Sequence, residues 1–292
     1  MSTRVKGGGR EFAFTRHRAS AGVRWLRDSY AMFRQHRLPW IGLLFGYYLS
    51  LLVLDLLPLV GVFVAPMVKP VLSVGFLAGA WTQERGGVPA LRMLFNGFRT
   101  NVAALLPLGI VFMLGISLAL AATALIDGGQ FLDLLYGAPA GGDSPAAAAR
   151  HMQQTLGDPR VQLAMLFGAL CAAPTILALW WAPALVVFQD ARFSAALRGS
   201  LRAALANWRA VASYAIVVFA LGAVVPALVT LLLAVLVPPP LNATLTAVVV
   251  LPYVAFFVAT LHIADYVSYR DVFHADEGWG QSRGSEQGVR AT

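Results

Sequence analysis

Charged side chains are scarce in this 292-residue chain, where Asp, Glu, Lys and Arg together make up 12% against 58% hydrophobic residues. Soluble domains carry roughly twice that share of charge, so the composition excludes an ordinary soluble fold. In place of polar segments the chain has apolar runs of 18 or more residues, which are typical of membrane-spanning helices. Six such runs lie at 38–57, 60–80, 102–126, 161–187, 211–237 and 245–267. The sequence therefore predicts an all-α polytopic protein with six transmembrane helices.

Residues that bind metals or form disulfides are also few. Cys171 is the single cysteine, which excludes an internal disulfide. The five histidines are scattered and form no cluster with metal-ligand spacing. The chain has no glycine-rich phosphate loop, no nucleophile elbow and no paired catalytic carboxylates. We therefore expect no metal, no cofactor and no enzymatic activity.

Basic residues are distributed unevenly between the two sides of the predicted bundle. Of the 22 Lys and Arg residues, all but three fall in the terminal segments or after runs two and four. The three exceptions are Lys69, Arg150 and Arg160. Because loops rich in Lys and Arg stay on the cytoplasmic side, both termini are predicted to be cytoplasmic. This topology accounts for most of the net charge of +8, and no soluble domain remains that would bind nucleic acid.

The chain divides into three parts. Residues 1–20 form a basic N-terminal segment, residues 21–273 the six-helix membrane domain, and residues 274–292 a tail that we expect to be disordered. The external loop 127–160 includes a predicted short surface helix that begins at Pro145.

A polar stretch at 83–101 interrupts the apolar pattern between runs two and three. It places Leu91, Leu94, Phe95 and Phe98 at the i, i+3, i+4, i+7 spacing of one helical face. This predicts a short amphipathic helix in the membrane interface, which we call an elbow helix. Similar stretches precede runs one and five, so the chain reads as three hairpins of two spans, each preceded by an elbow helix. Either an internal duplication or the general need for basic linkers explains the similarity.

The elbow stretches carry the residues that we predict to contact lipid. These are Arg27, Arg34, Arg92, Arg99, Arg198, Arg202 and Arg209. Basic residues beside an anionic leaflet each contribute on the order of 1 kcal/mol of attraction, so anionic phospholipid is the expected partner. Aromatic neighbours at Phe33, Phe98 and Trp208 would fix the depth of the helices in the interface.

Ionisable residues within the runs are candidate functional groups, because charges in a membrane are costly. Asp55 and Lys69 flank the first outer turn, but the helical wheel turns Asp55 away from run two and favours an interfacial charge over a direct pair. His262 and Asp265, at i and i+3, are either a proton-handling or ligand-binding pair or polar anchors beside the aromatic belt.

Four glycines lie at matching depths in runs one and two, namely Gly42, Gly46, Gly75 and Gly79. Small residues spaced four apart let two helix backbones approach closely in a membrane. We therefore predict that these glycines line a close contact between spans one and two.

Several short motifs taken together resemble those of an uncharacterised family of proteobacterial, mostly betaproteobacterial, inner-membrane proteins. They begin at Gly22, Leu57, Pro70, Leu94, Trp181, Ala196 and Ser268, and read GVRWL, LPLVG, PVLSVG, LFNGF, WAPAL, ALRGSL and SYRDVF. More distantly the chain is similar to the membrane domain fused to some glycerophosphodiester phosphodiesterases. The resemblance implies six spans and an inner-membrane location but no established activity, and we expect no phosphodiesterase chemistry here. Lys69 departs from the family's apolar second span.

Two function classes remain open from the sequence. The first is a non-enzymatic protein that organises or senses lipid or partner proteins at the cytoplasmic leaflet through its elbow helices. The second is a small secondary transporter or channel that uses proline-interrupted spans and the few charges within them. The first is favoured because the elbow stretches recur and buried charges are rare.

The predicted topology is tested by reporter fusions to the full chain. Fusions after Arg99, Arg209 and Arg283 should report a cytoplasmic position, and a fusion at Ser144 should report an external one, because basic loops resist translocation. An external signal from the Arg209 fusion would contradict the six-span arrangement.

Overall fold

The structure, a computed structural model, describes residues 12–57, 61–137, 145–238 and 241–274. These residues are helical almost throughout, and none of them lies in a strand. Six helical segments among them are long and apolar enough to cross a membrane, which confirms the predicted spans. The segments are Arg37–Asp55, Phe63–Glu84, Val102–Asp127, Pro159–Gln189, Trp208–Leu236 and Leu241–Phe273.

The helices follow one another with short connections. In chain order they are α1 (Ser20–Gln35), α2 (Arg37–Asp55), α3 (Gly61–Glu84), a 3-10 helix (Leu91–Arg99), α4 (Val102–Asp127), α5 (Gln130–Tyr136), α6 (Pro145–Gly157), α7 (Pro159–Trp180), α8 (Ala182–Gln189), α9 (Phe193–Ala206), α10 (Trp208–Phe219), a π-helical turn (Ala220–Val224), α11 (Val225–Leu236) and α12 (Leu241–Phe273). Spans one, two, three and six are α2, α3, α4 and α12. Span four consists of α7 and α8, and span five of α10, the π turn and α11.

Polar side chains cap the helices on either side of the long loop. The side chain of Asn101 accepts the N–H of Ala104 at the start of α4, and Asp158 accepts the N–H of Arg160 at the start of α7. These bonds satisfy donors that a helix N-terminus leaves unpaired. Gly128 ends α4 with φ +68°, a left-handed conformation that glycine adopts without strain.

The long loop contains two helices. The predicted surface helix is present as α6, which begins at Pro145. The sequence did not suggest the second helix, α5, whose first turn is held by the Asp127 carboxylate through the N–H groups of Gly129 and Phe131. The predicted disordered tail lies outside the described residues, apart from His274.

The spans pack mainly against their neighbours in the chain. α2 packs on α3, α3 on α4, α4 on α7, and α11 on α12, while α3 also contacts α12. Among the described residues α7 makes no extended contact with span five. The division of the chain into three elbow-and-hairpin units stays a prediction.

The helix of span four is interrupted at Trp181, where the side chain of Ser200 bonds to the separated backbone groups. In a continuous helix the N–H of Trp181 would donate to the carbonyl of Leu177. Here the Ser200 hydroxyl lies between these groups, accepting the Trp181 N–H at 3.0 Å and donating to the Leu177 carbonyl at 2.9 Å. Pro183, which lacks an N–H, opens α8 just beyond the break. The Trp181 N–H and the Leu177 carbonyl, which the break separates, are therefore both satisfied inside the protein.

Span five contains a second irregularity, the π-helical turn Ala220–Val224. Pro226 follows this turn and supplies no N–H to the carbonyls preceding it. The hydroxyl of Tyr253, in span six, donates to the carbonyl of Leu221 at 2.6 Å. Backbone groups in a bilayer need such a partner, because no water is present to replace it.

The predicted glycine contact between spans one and two is wrong in its details. Gly42 has no neighbour within 4 Å of the position a Cβ would take, whereas Cβ atoms at Gly46 and Gly75 would meet Leu94 of the 3-10 helix. Only Gly79 faces span one, where a Cβ would lie 3.1 Å from the Trp40 ring. The short helix lies against both spans and fills the space that the sequence had assigned to a direct contact.

The glycine packing predicts opposite results for two alanine substitutions. Gly75→Ala should lower the melting temperature of the detergent-solubilised protein, because its Cβ would lie 2.5 Å from the Leu94 Cα. The matched control Gly42→Ala meets open space and should leave stability unchanged or raise it by up to about 1 kcal/mol. Equal melting temperatures for the two variants would contradict this packing.

Candidate functional site

Three helices, α1, the 3-10 helix and α9, each directly precede a span. α1, α9 and both described chain ends lie at one end of the bundle, where the Asn207 side chain that follows α9 bonds to the segment before α1. The 3-10 helix packs along α2 and α3, with Gly97 close to the Val71 carbonyl. The segment before α1 lies along the end of α12, where the Thr15 N–H donates to the Val272 carbonyl at 2.8 Å. Phe14 packs edge-on against Phe273 beside this bond. We call this the basic end, because the arginines predicted to contact lipid lie on these helices or directly after them.

α1 has one buried and one exposed face. Trp25 and Phe33 are buried in the core, while Arg27, Tyr30 and Arg34 are exposed. The guanidinium of Arg34 lies 5.9 Å from the centre of the Tyr30 ring. The exposed face thus combines positive charge with an aromatic ring, a combination suited to the membrane interface.

The second short helix is a 3-10 helix, and this corrects the predicted α-helical stripe. Residues three apart lie on the same side of a 3-10 helix, so Leu91 and Leu94 both approach Gly46 of α2, although Leu94 is buried and Leu91 remains 54% exposed. Phe95 and Phe98 instead point outward and are about half exposed. The prediction had assumed 3.6 residues per turn, which placed all four apolar side chains on one face.

α9 lies close to span four because its buried face is made of small residues. Ala196, Ser200 and Ala203 are fully buried on this face. Arg198 and Arg202 are exposed on the opposite face. The same helix thus repairs the break in span four and presents two positive charges outward.

All the arginines predicted to contact lipid have exposed side chains. They are Arg27, Arg34, Arg92, Arg99, Arg198, Arg202 and Arg209. Exposed aromatic residues lie beside them, including Phe98 and Trp208. Phe33, the third aromatic residue predicted as a depth anchor, is buried instead, against Phe256 of span six.

A second group of basic residues at the same end is engaged inside the protein. The carboxylate of Asp271 accepts the guanidinium of Arg24 at 2.6 Å and the indole N–H of Trp25 at 2.7 Å. The His17 ring lies beside it, with Nδ1 3.6 Å from the same carboxylate. These contacts tie α1 and the preceding segment to the last turn of α12.

The end of span two is tied to α12 by a buried ion pair. Glu84 and Arg270 are only 5% and 10% exposed, and the Arg270 Nη2 donates to the Glu84 Oε1 at 2.9 Å. The Tyr266 hydroxyl donates to the other oxygen of Glu84. A charge this deeply buried is tolerated only with such partners.

The neighbouring residue Gln83 joins three helices. Its carbonyl oxygen accepts the Trp40 indole N–H at 2.8 Å, and its amide donates to the Met32 carbonyl and the Gln35 side chain. A buried amide with these partners fixes α1, α2 and α3 relative to one another.

Asp55 and Lys69, predicted as candidate polar residues within spans, form no ion pair with each other. Asp55 is exposed at the far end of α2, and its position at the membrane interface stays a prediction. The ammonium of Lys69 lies 5.3 Å from the centre of the Phe112 ring in span three. Lys69 therefore makes a cation–π contact between spans two and three.

His262 and Asp265 are close but not hydrogen-bonded, since His262 Nδ1 lies 4.0 Å from Asp265 Oδ2. The His262 ring stacks on Phe76 at 4.0 Å and meets the Tyr47 ring edge-on. Asp265 keeps 41% of its side chain accessible. The histidine is thus held by aromatic packing, and the carboxylate is left open.

The part of the chain that the structure describes contains no group of three His, Cys, Asp or Glu side chains that would hold a metal ion. The residues that organise the basic end, Gln83, Glu84, Ser200 and Asp271, were not identified from the sequence. Each lies at a span end or on a short helix, where a polar residue is ordinarily solvated. Their partners are distant in the chain, so local periodicity gives no signal for them.

The buried ion pair predicts non-additive effects on stability. Glu84→Ala or Arg270→Ala alone leaves a buried charge without its partner and should cost on the order of 3–5 kcal/mol. The double variant should lose less than the sum, because no unpaired charge remains. Chemical unfolding in detergent measures the cycle.

Asp28→Ala is the control for this cycle, since it breaks the exposed pair with Arg27 at 3.2 Å. It should cost less than about 1 kcal/mol. Losses that simply add in the Glu84 and Arg270 double variant would show that the two side chains are not coupled.

Comparison with known proteins agrees with a membrane location. The chain is 28% identical over 263 residues to a protein of Burkholderia thailandensis named as a probable inner membrane protein, covering 89% of this chain and 93% of that protein. No family model matches the chain, and no solved structure matches it. These comparisons show no link to the phosphodiesterase fusions. With its six apolar helices, the chain is an integral membrane protein similar to a probable inner membrane protein.

Proposed function

We propose that this protein is non-enzymatic and organises or senses anionic phospholipid at the leaflet that faces its basic end. The observation that carries the proposal is the exposure of all the candidate arginines. All but Arg209, which lies at the start of span five, are on α1, the 3-10 helix and α9, each of which presents half-exposed apolar side chains beside the charges. A surface with both features suits the boundary between headgroups and acyl chains.

The arginines differ in what they do for the fold. Arg24 and Arg270 form ion pairs with Asp271 and Glu84 and hold helices together. The exposed arginines make only local contacts, such as that of Arg209 with the adjacent Trp208 ring at 5.4 Å. Stability of the fold therefore does not explain why the outward faces are basic, whereas attraction to anionic lipid would explain it.

The expected attraction is collective. Each basic residue near an anionic surface contributes on the order of 1 kcal/mol, and salt screens this within about 8 Å at physiological ionic strength. Arginines spread over α1, the 3-10 helix and α9 would therefore enrich anionic lipid around the protein without a single enclosed pocket. Protein partners at the same surface would need acidic faces.

A small secondary transporter or channel is the alternative function. It is favoured by the breaks in spans four and five, since interrupted helices form many transporter sites. Uptake or efflux of a defined solute that depends on Lys69 or Asp265 would support this alternative.

The lipid proposal is tested by native mass spectrometry of the protein released from nanodiscs containing phosphatidylglycerol and phosphatidylethanolamine. The wild type should retain phosphatidylglycerol preferentially, and Arg92→Gln/Arg99→Gln should reduce this preference several-fold because two exposed charges are lost. Extending the change to Arg198 and Arg202 should reduce it further, and added salt should weaken it in the wild type.

Arg150→Gln/Arg160→Gln is the matched control, because it removes two exposed charges from the connection between spans three and four. It should leave phosphatidylglycerol retention unchanged. Equal losses in both double variants would mean that total charge, not the basic end, governs retention. No loss in either would reduce the elbow arginines to topology signals.

A further inference from the structure

The carboxylate of Asp265 occupies an unusual position for an acidic group in a span. It lies five residues before Arg270, about 7 Å deeper along α12 than the buried ion pair. Its side chain is 41% accessible although helices surround it. Within the described part of the chain, the only basic nitrogen within 4.0 Å of its oxygens is that of His262, and a carboxylate without a cationic partner is costly within a span.

Aromatic side chains from three other spans surround this carboxylate. It is near enough to the hydroxyls of Tyr47 and Tyr214 to interact with them electrostatically. The indole N–H of Trp180 is also near the carboxylate but forms no well-aligned hydrogen bond. The centres of the Trp180 and Tyr214 rings lie 5.1 Å apart, and the Trp25 ring lies 6.3 Å from each of them. A carboxylate beside several aromatic rings is an arrangement that recognises organic ammonium groups.

Spans four and five, which carry Trp180 and Tyr214, have different main packing partners. α7 packs on α4 and α9, and span five packs on α1 and α12, without extended contact between span four and span five among the described residues. The Trp180 and Tyr214 rings, 5.1 Å apart, join the two spans near the carboxylate. Because this carboxylate lies within a span, the ligand that suits it is an amphiphile whose acyl chains stay in the bilayer.

We propose that Asp265, with the rings of Trp180, Tyr214 and Tyr47, forms a binding site for the ammonium group of a membrane amphiphile that enters between spans four and five. The ammonium donates hydrogen bonds to the carboxylate and supplies the positive charge that the site lacks. The aromatic faces add cation–π attraction. This site is separate from the proposed arginine surface, since its ligand group carries the opposite charge.

The test uses the full chain in nanodiscs of phosphatidylethanolamine and phosphatidylglycerol, with retained lipid identified by native mass spectrometry. Asp265→Asn should reduce phosphatidylethanolamine retention about tenfold, as expected for loss of one charge-assisted contact, and should leave phosphatidylglycerol unchanged. Arg92→Gln/Arg99→Gln should reduce phosphatidylglycerol retention and leave phosphatidylethanolamine retention unchanged. Asp55→Asn, which neutralises an exposed carboxylate, should leave phosphatidylethanolamine retention unchanged.

A second measurement needs no variant at this carboxylate. Phosphatidylethanolamine should raise the melting temperature of the wild type more than its N-acetylated form does, because acetylation removes the ammonium. Tyr214→Phe, which keeps the ring, should preserve this difference, whereas Tyr214→Leu should reduce it.

Free ethanolamine distinguishes a lipid from a soluble source of the ammonium group. Retention of phosphatidylethanolamine in excess ethanolamine supports a lipid ligand. If ethanolamine displaces phosphatidylethanolamine from the wild type and does not bind Asp265→Asn, the same site also binds soluble amines. Unchanged phosphatidylethanolamine retention in folded Asp265→Asn, or equal stabilisation by the two lipid forms, overturns the proposal.

Discussion

The arrangement of the basic end depends on the buried ion pair between Glu84 and Arg270. Two charges that are almost fully enclosed can stay in the protein only while they face each other, with Tyr266 satisfying the remaining carboxylate oxygen. This requirement fixes the end of span two against the end of span six. Asp271, the next residue, is thereby held where Arg24 and Trp25 reach it. One constraint thus locates α12, α3 and α1 together.

The need to pair backbone groups imposes a second constraint on the bundle. Spans four and five both depart from a regular helix, and in each case a hydroxyl from another helix supplies the missing partner. Ser200 does so at Trp181, and Tyr253 at Leu221. In a solvent without water these bonds have no substitute. The irregular spans are therefore held by specific side chains.

The functional surfaces follow from which polar groups the fold has used. Arg24 and Arg270 are engaged in ion pairs, while the arginines on the outward faces of the short helices are exposed to the interface. Glu84 and Asp271 have cationic partners, but among the described residues Asp265 has only the ring of His262 within 4.0 Å, without a hydrogen bond. The exposed arginines and the Asp265 carboxylate are thus charged groups of opposite sign that the fold does not use in a buried ion pair.

The sequence by itself determined the six spans, because runs of about 20 apolar residues have no stable alternative to crossing the bilayer. It also predicted the exposed arginines, since an amphipathic pattern at a span end turns most of its charges outward, although Arg24 on α1 pairs with Asp271. Only the tertiary structure decided the 3-10 geometry of Leu91–Arg99, the glycine contacts and the partners of Glu84, Ser200 and Asp271. Those features depend on side chains that are up to about 250 positions apart in the chain, as His17 and Asp271 are. Local periodicity specifies which face of a helix is apolar, but tertiary packing determines which other helix covers that face.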